Sequence, residues 1–471
     1  MVQSRQSLAP RDPHSHGRRR FLGTAVAGTG FALMPTWARP AAPRMLRAKL
    51  ATAALVGETN PRTAIWGYEG LVPGPELRLK QGDRLRVELE NLLPADTTVH
   101  WHGIRLPNAM DGVPHLTQPP IAANGGRFTY EFALPDAGTY WYHPHLGSPE
   151  QVGRGLYGAL IVEEHEPPAV DRDIVWLLGD WRLDRSASIV EDFGNMMDAS
   201  HAGRIGNTVT VNGAIRETFD LRAGERVRLR LINASNARIY ALEFRGHDPW
   251  VVALDGHPVE PHRPDGARVV LGPAMRADLI LDATGEPGSS HSVIDDFYPR
   301  RAYGLLDLHY GSTRLDGGRA RAPLPRLAPN PVAEPNLAQT ERHVVEFGGG
   351  MMGRMSRAMR RGGMAWTVNG VAVKEHDHEP FLKLRLGRSV LLELVNDTQW
   401  HHPIHLHGHV FRVLTRDGRP TRHREWLDTV LLSPQERAEI AFVADNPGDW
   451  MFHCHVLEHQ VSGMMAIIRI A

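Results

Sequence analysis

Apolar and polar positions alternate along most of this chain in short runs that end in Gly, Pro, Asn or Asp, as at Leu85–Leu89, Phe128–Phe132, Val227–Ile232 and Val390–Val395. A period of two, filled with β-branched and aromatic residues, marks half-buried strands. Few stretches carry a helical period. The pattern predicts an all-β chain of sandwiches or barrels, with helices short and confined to connections. One strand pattern also recurs. KQGDRLRVELEN, RAGERVRLRLIN and RLGRSVLLELVN each run from a glycine to an asparagine nine positions on: Gly82–Asn91, Gly224–Asn233 and Gly387–Asn396. The first and third copies continue alike, with HWHGIRL and HPIHLHGHVF, and later end alike, with LPDAGTYWYHPHLGSP and ADNPGDWMFHCHVLEH. The middle copy continues as NARIYALEFRGH and has no histidine pair. Three related β domains, with the chemistry kept in the outer two, account for this.

At 471 residues the chain suits about three domains of roughly 150 residues each. The expected divisions are a leader and short linker over 1–43, domains over 44–165 and 166–322, and a proline-rich connector with the third domain over 323–471. Arg18-Arg19-Arg20-Phe21-Leu22, the apolar run Gly23 to Met34 and Thr36-Trp37-Ala38 have the make-up of a signal peptide, and the paired arginines resemble a twin-arginine signal. A basic tail followed by a loop is the plainer alternative. The apolar run is too short to span a membrane, and no other segment approaches that length. The expectation is export by the twin-arginine (Tat) machinery to the periplasm or another extracytoplasmic space, with no membrane span.

Lys+Arg and Asp+Glu are equal at 53 each, so no net field draws nucleic acid or an anionic membrane. Partners must be argued from sites. In an oxidising compartment a single cysteine, Cys454, has no bridge partner, and metal ligation would occupy it.

Histidine clusters supply the rest of a metal site: His100-Trp101-His102, His143-Pro144-His145, His402-Pro403-Ile404-His405-Leu406-His407, and His453-Cys454-His455 with His459 and Met464 beyond. On a strand each His-x-His pair projects both imidazoles to one face, and Cys454 projects opposite its two neighbours. The thiolate would serve one metal while His453 and His455 serve others, a short covalent electron route. One His-x-His pair alone is more often packing or surface, and His-Cys-His alone also suits zinc. Four clusters at matching places in a repeat, with the only cysteine inside one, favour metal. The set Cys454, His402, His459 and a distant Met464 is that of a blue copper centre, and an all-imidazole cluster also suits copper.

HWHG, HPH, HPIHLHG and HCHVLEHQVSGMM resemble the four copper signatures of multicopper oxidases, the laccase-type family with three Greek-key cupredoxin domains. The resemblance covers essentially the whole mature chain. It is nearest to bacterial laccase-like oxidases exported by the twin-arginine route, manganese oxidases among them. It implies four copper ions. His402, Cys454, His459 and Met464 would hold type 1 copper. His100 and His405 would hold type 2, and His102, His143, His145, His407, His453 and His455 the type 3 pair. Dioxygen would then be reduced to water by electrons arriving through Cys454. Asp111 matches the family aspartate that follows HWHG, a proton relay. A plain turn aspartate before Gly112 is the alternative. Where the family often has a glutamate after the last histidine, this chain has Gln460, which leaves a second proton route in question.

The expected donor is a small reductant, a phenol or aromatic amine docking at a partly exposed edge of His402 and His459. The alternative is a metal oxidase acting on Cu(I), Mn(II) or Fe(II). Glu458 and the segment GGGMMGRMSRAMRRGGMAW, with Met351, Met352, Met355, Met359 and Met364, are its features. A mobile linker is the plainer reading of that segment, and its arginines oppose cation capture. A non-catalytic envelope assembly protein of the same fold is remote, because all twelve ligand positions are filled. One copy of each motif predicts that a monomer holds a complete site.

Overall fold

The computed structural model describes residues 43–320, 322–351, 364–374 and 379–471. The leader, and Met352, Met355 and Met359 of the methionine-rich segment, lie outside the described residues. The chain folds into three β-sandwiches in sequence, each of two sheets. Short α-helices at Ser148–Gly153, Met196–Ser200 and Leu457–Val461 serve as connections. No helix among the described residues is long and apolar enough to cross a membrane.

The repeated motif forms the same strand in all three. Arg84–Asn91, Arg226–Asn233 and Ser389–Asn396 each pair in parallel with their domain's opening strand, Arg44–Ala53, Arg172–Trp181 and Glu341–Gly349. On the other side each pairs antiparallel with a later strand. The glycines that open the motif, Gly82, Gly224 and Gly387, have φ of +85°, +90° and +78°, so a side chain there would be strained. The closing asparagine turns the chain identically each time. Asn91, Asn233 and Asn396 accept from the N–H two residues on, at 3.0–3.1 Å. Their amides donate to carbonyls of the following loops at 2.7–3.1 Å. A buried amide so satisfied closes a strand without exposing backbone.

Counting from that asparagine shows what the middle copy lost. His100 and His102 stand nine and eleven positions after Asn91, and His405 and His407 nine and eleven after Asn396. The same offsets from Asn233 give Leu242 and Phe244, both buried in the middle domain's own core.

The middle strand departs from the sequence pattern in one respect. Alternation in RVRLRLIN predicts one face toward solvent, yet all eight residues of Arg226–Asn233 are buried. The arginine face is buried, and it is paired with the first domain and with neighbouring strands of its own. Arg228 bonds Glu164 and Asp278 at 2.7 Å, and Arg230 bonds Asp173 at 2.7 Å and Thr139 Oγ1 at 2.9 Å. Charges so buried persist only when each has a partner.

Candidate metal centre

Two neighbouring strands in each outer domain present the histidines. His100–His102 lies antiparallel to Gly138–His143 with His100 opposite His143. His402–Leu406 lies antiparallel to Gly448–Cys454 with His405 opposite His453 and Ile404 opposite Cys454. The outer domains meet through these rings: His100 stacks on His407 at 3.9 Å and His102 on His405 at 3.8 Å. All eight histidines of the His-x-His pairs are at most 2 % exposed.

Six of the eight rings are tied outward by one nitrogen. Nδ1 of His100, His405, His143 and His453 donates to the carbonyls of Asp111, Asp428, Pro144 and Cys454 at 2.8–3.0 Å. His407 Nδ1 donates to Asp111 Oδ2 at 2.8 Å. His102 is reversed, its Nε2 donating to Asp428 Oδ1 at 3.0 Å. These bonds fix the tautomer and aim the other nitrogen's lone pair inward. Inward-facing Nε2 of His100, His143, His145 and His405, Nδ1 of His102 and both nitrogens of His455 have no hydrogen-bond partner. His407 Nε2 and His453 Nε2 face each other at 3.0 Å. Such a set costs about 1–3 kcal/mol per orphaned atom unless cations accept the lone pairs. Sets of three converge within 4.8 Å: His100 with His102 and His143, His100 with His405 and His407, and His145 with His407 and His453. An all-imidazole set of this density fits copper.

Burial, and then the neighbouring imidazoles, hold the pKa of His102, His143, His145, His407, His453 and His455 well below the ordinary 6.5. The rings are neutral and ready to coordinate. The sign of the linkage follows: unfolded, these rings bind protons near 6.5, and folded they do not. The metal-free protein is expected to lose stability steadily as pH falls below about 6.5. Thermal unfolding of metal-stripped protein from pH 8 to 5 measures this, and a flat midpoint would contradict it.

On the opposite face of the Gly448–Cys454 strand, Cys454 Sγ lies 3.5 Å from His402 Nδ1 and 3.7 Å from His459 Nδ1, which are 3.2 Å apart. The centre of that triangle is about 2 Å from each corner, the length of a metal bond to nitrogen or sulfur. Met464 is fully buried, and its carbonyl accepts from Cys454 N at 3.0 Å. The outer nitrogens are held too: His402 Nε2 pairs with Thr398 Oγ1 at 2.8 Å, and His459 Nε2 donates to the His201 carbonyl at 2.6 Å.

The sequence predicts a partly exposed edge here, but His402 and His459 are both 0 % exposed. Trp366 lies over them, 4.2 Å from His459 and 5.0 Å from His402 between ring centres. Its indole N–H donates to the Ala199 carbonyl at 2.6 Å, so the end of Met196–Ser200 and His201 roof the site. Glu458 is not at the rim. It is 2 % exposed and accepts from Arg204 N and Asn236 Nδ2 at 3.1 Å each.

Asp111 is 1 % exposed and sits between the outer domains, touching His100 through its carbonyl and His407 through Oδ2, while Oδ1 makes no hydrogen bond and lies 3.2 Å from His100 Nδ1. Gln460 Nε2 ends 3.5 Å from His145 Nδ1. Sequence reasoning missed Asp428, which contacts His102 and His405 and receives two bonds from Arg276 at 2.8 and 2.5 Å. Its one signal was a lone carboxylate inside the apolar run Trp426-Leu427-Asp428-Thr429-Val430.

Three family models described as multicopper oxidase match residues 50–167, 172–291 and 351–471. The chain is 31% identical to Multicopper oxidase MmcO of Mycobacterium tuberculosis over 524 aligned positions, covering 96% of each. Among solved structures it is similar to a multi-copper oxidase from Pseudomonas thermotolerans, with TM-score 0.80 and 38% identity, covering 91% of this chain and all of that one. It is also similar to a laccase-like multi-copper oxidase from a lignin-degrading Ochrobactrum sp. with activity towards lignin model compounds. There the TM-score is 0.76 and identity 26%, over 91% of this chain and 96% of that one.

Proposed function

The chain belongs to the multicopper oxidase family, copper-dependent oxidoreductases that use dioxygen, and from that premise we propose that it couples one-electron oxidation of small aromatic donors to four-electron reduction of dioxygen to water. In this reading Cys454, His402, His459 and Met464 hold type 1 copper, and His100 and His405 hold type 2. His102, His143 and His455, with rings 5.0–5.8 Å apart, hold one type 3 ion. His145, His407 and His453 hold the other. Copper in these positions supplies one-electron redox at the thiolate and binds and reduces dioxygen at the imidazole cluster. The observation that carries the reading is the ring of inward, partnerless imidazole nitrogens joined to the thiolate triangle by His453-Cys454-His455.

The protein's own groups do the rest. Thr398 and the His201 carbonyl lock the two rings at the thiolate site, and Trp366 keeps water from them. An electron enters across one hydrogen bond, from His201 to His459, and the donor needs no direct contact with a ligand. His201 and half-buried Trp400 pack edge to face at 5.4 Å over this point, a surface suited to stacking an aromatic ring. Asp111, whose Oδ1 makes no hydrogen bond but lies 3.2 Å from His100 Nδ1 beside the cluster, holds and passes protons for water formation. The paired arginines of the leader support export by the twin-arginine route to the periplasm, and the motif set supports a monomer as the working unit.

A second reading, oxidation of cuprous ion, is favoured by three exposed thioethers near the roof. Met196 is 52% exposed and Met197 64%; Met351 is 45% exposed, and its N–H donates to the Ser200 carbonyl. Oxygen uptake by copper-loaded protein with a methoxyphenol, Cu(I), Mn(II) and Fe(II) separates the two. Trp400→Ala is expected to raise KM for the phenol about three- to tenfold, the worth of one aromatic contact, with kcat kept. Changing Met196, Met197 and Met351 to serine should leave the phenol rate alone. Fastest turnover with Cu(I), lost selectively in the methionine variant, would transfer the assignment to metal oxidation. No uptake with any donor at full copper loading would end both readings.

A further inference from the structure

The middle domain carries no histidine pair, yet one of its side chains reaches the imidazole cluster. Arg276, on the strand Arg276–Asp282, is fully buried. Its Nη1 and Nη2 donate to Asp428 Oδ1 and Oδ2 at 2.8 and 2.5 Å, a two-pronged pair across the boundary with the third domain. Its Nε donates to the Thr139 carbonyl at 3.1 Å, in the first-domain strand that ends at His143. Asp428 then accepts from His102 Nε2, and its carbonyl accepts from His405 Nδ1. Asp255 backs the arrangement from the middle domain. Oδ1 accepts from Arg276 N at 2.9 Å, and Oδ2 from Asp428 N and Thr429 N at 3.3 and 3.1 Å. Gly103, next to His102, has no room for a side chain: a Cβ there would collide with the Arg276 and Asp428 termini.

We propose that Arg276, braced by Asp255, is a positioning residue for the copper cluster: it pins the Asp428 carboxylate on His102 Nε2 and thereby turns Nδ1 of that ring inward. His102 is the one ring of the cluster tied by Nε2, and the tie depends on a carboxylate whose own orientation comes from another domain. A guanidinium is suited to this because its fixed fork meets both carboxylate oxygens at once, which an ammonium does not. Without it the Asp428 carboxylate keeps only the Thr429 hydroxyl at 2.8 Å and His102 on Oδ1 and loses its charged partner, so the acceptor that sets the His102 tautomer is held less firmly. The middle domain is thus a structural part of the oxygen-reducing site without lending it a ligand. The inference rests on the assignment of His102 and His405 to the copper cluster.

The test uses copper-loaded full-length protein carrying Arg276→Met, Arg276→Lys or Asp255→Asn. Copper per chain is read after dialysis against a mild chelator. The blue absorption reports the thiolate site, and paramagnetic resonance of the type 2 ion reports the cluster. Arg276→Met should keep the blue band, give up cluster copper and lower oxygen reduction about 10- to 100-fold, the effect of losing a partner behind a metal ligand. KM for the donor should not move. Arg276→Lys should fall between, with an altered type 2 signal, and Asp255→Asn should show the same pattern more weakly. If Arg276→Met does not accumulate folded, the other two carry the comparison, since both keep the packed volume. Full cluster copper and an unchanged type 2 signal in the variants would overturn the proposal. So would equal loss from both sites, which would make Arg276 a general fold element. Failure of the copper assignment itself looks different, because the unaltered protein would then bind no copper at the cluster.

Discussion

Cys454→Ser is expected to give a folded protein with no blue absorption, one copper fewer per chain and oxygen uptake at background with every donor. The thiol is fully buried between the imidazoles of His402 and His459. Burial pushes its pKa up, so the metal-free protein holds a neutral S–H and copper uptake must expel that proton. A serine hydroxyl at the same point is a hard, neutral oxygen that neither ionises nor offers a soft donor. The fold should tolerate the change, since the hydroxyl can still accept the Val456 N–H that now reaches Sγ at 3.4 Å. His453 and His455 keep their backbone, so the cluster should still load. Loss of a ligand removes more than loss of a partner behind one, so the rate should drop by well over 100-fold. Metal analysis, visible spectra and oxygen-electrode traces on one preparation check this. A persisting blue band would mean that another group supplies the charge-transfer donor.

Asp111→Asn is the second large effect, and it should spare the metal. The amide is the same size, and its Oδ1 can accept the His407 Nδ1–H that the carboxylate accepts at 2.8 Å. The His100 hydrogen bond goes to the backbone carbonyl and is kept, while the 3.2 Å contact of Oδ1 with His100 Nδ1 loses its charge. What disappears is a group able to carry a proton between the outer domains, beside rings whose remaining nitrogens are committed. Loss of a proton-transferring group costs about 10²- to 10⁴-fold in rate. The loss should fall on kcat, with KM for the donor unchanged, because donor docking lies across the Cys454 strand. Asp111→Ala should in addition release copper. Gln460, near His145, is an amide and offers no substitute carrier. Steady-state kinetics with one donor, together with copper counts, decide the matter; a variant within threefold of the parent would remove Asp111 from the proton path.

The repeat, the all-β class and the twelve proposed ligand positions were legible because they rest on local order. Strand alternation, a glycine and an asparagine at fixed spacing, and the ligand chemistry of Cys and His are all short-range properties. Even the common task of Asn91, Asn233 and Asn396 is hinted at by their matching places. The supports were not legible, because they depend on which domains touch. Asp428 and Arg276 are 152 residues apart, and each reads alone as an ordinary strand residue. The His201 carbonyl that covers His459 comes from 258 positions upstream. The arginines of the middle strand read as a solvent face because sequence shows their period and not the carboxylates that meet them, Glu164 from the first domain and Asp173, Asp278 and Asp282 from neighbouring strands. Glu458 failed as a rim residue for the same reason.

Leu242 and Phe244 bear on ancestry and on redesign. Three copies of one scaffold have taken two careers, and the middle copy has closed off the way back. Its two equivalent positions, Leu242 and Phe244, lie in one apolar cluster with Val269, Leu271 and Ala277, and no histidine belongs to that cluster to complete a ligand set. Histidines grafted there would bury two imidazoles with no cation and no acceptor, at a cost of roughly 1–3 kcal/mol for each unmet polar atom. Duplication multiplied the frame cheaply. A metal site there would need a second set of ligands to meet it, and the buried apolar cluster supplies none.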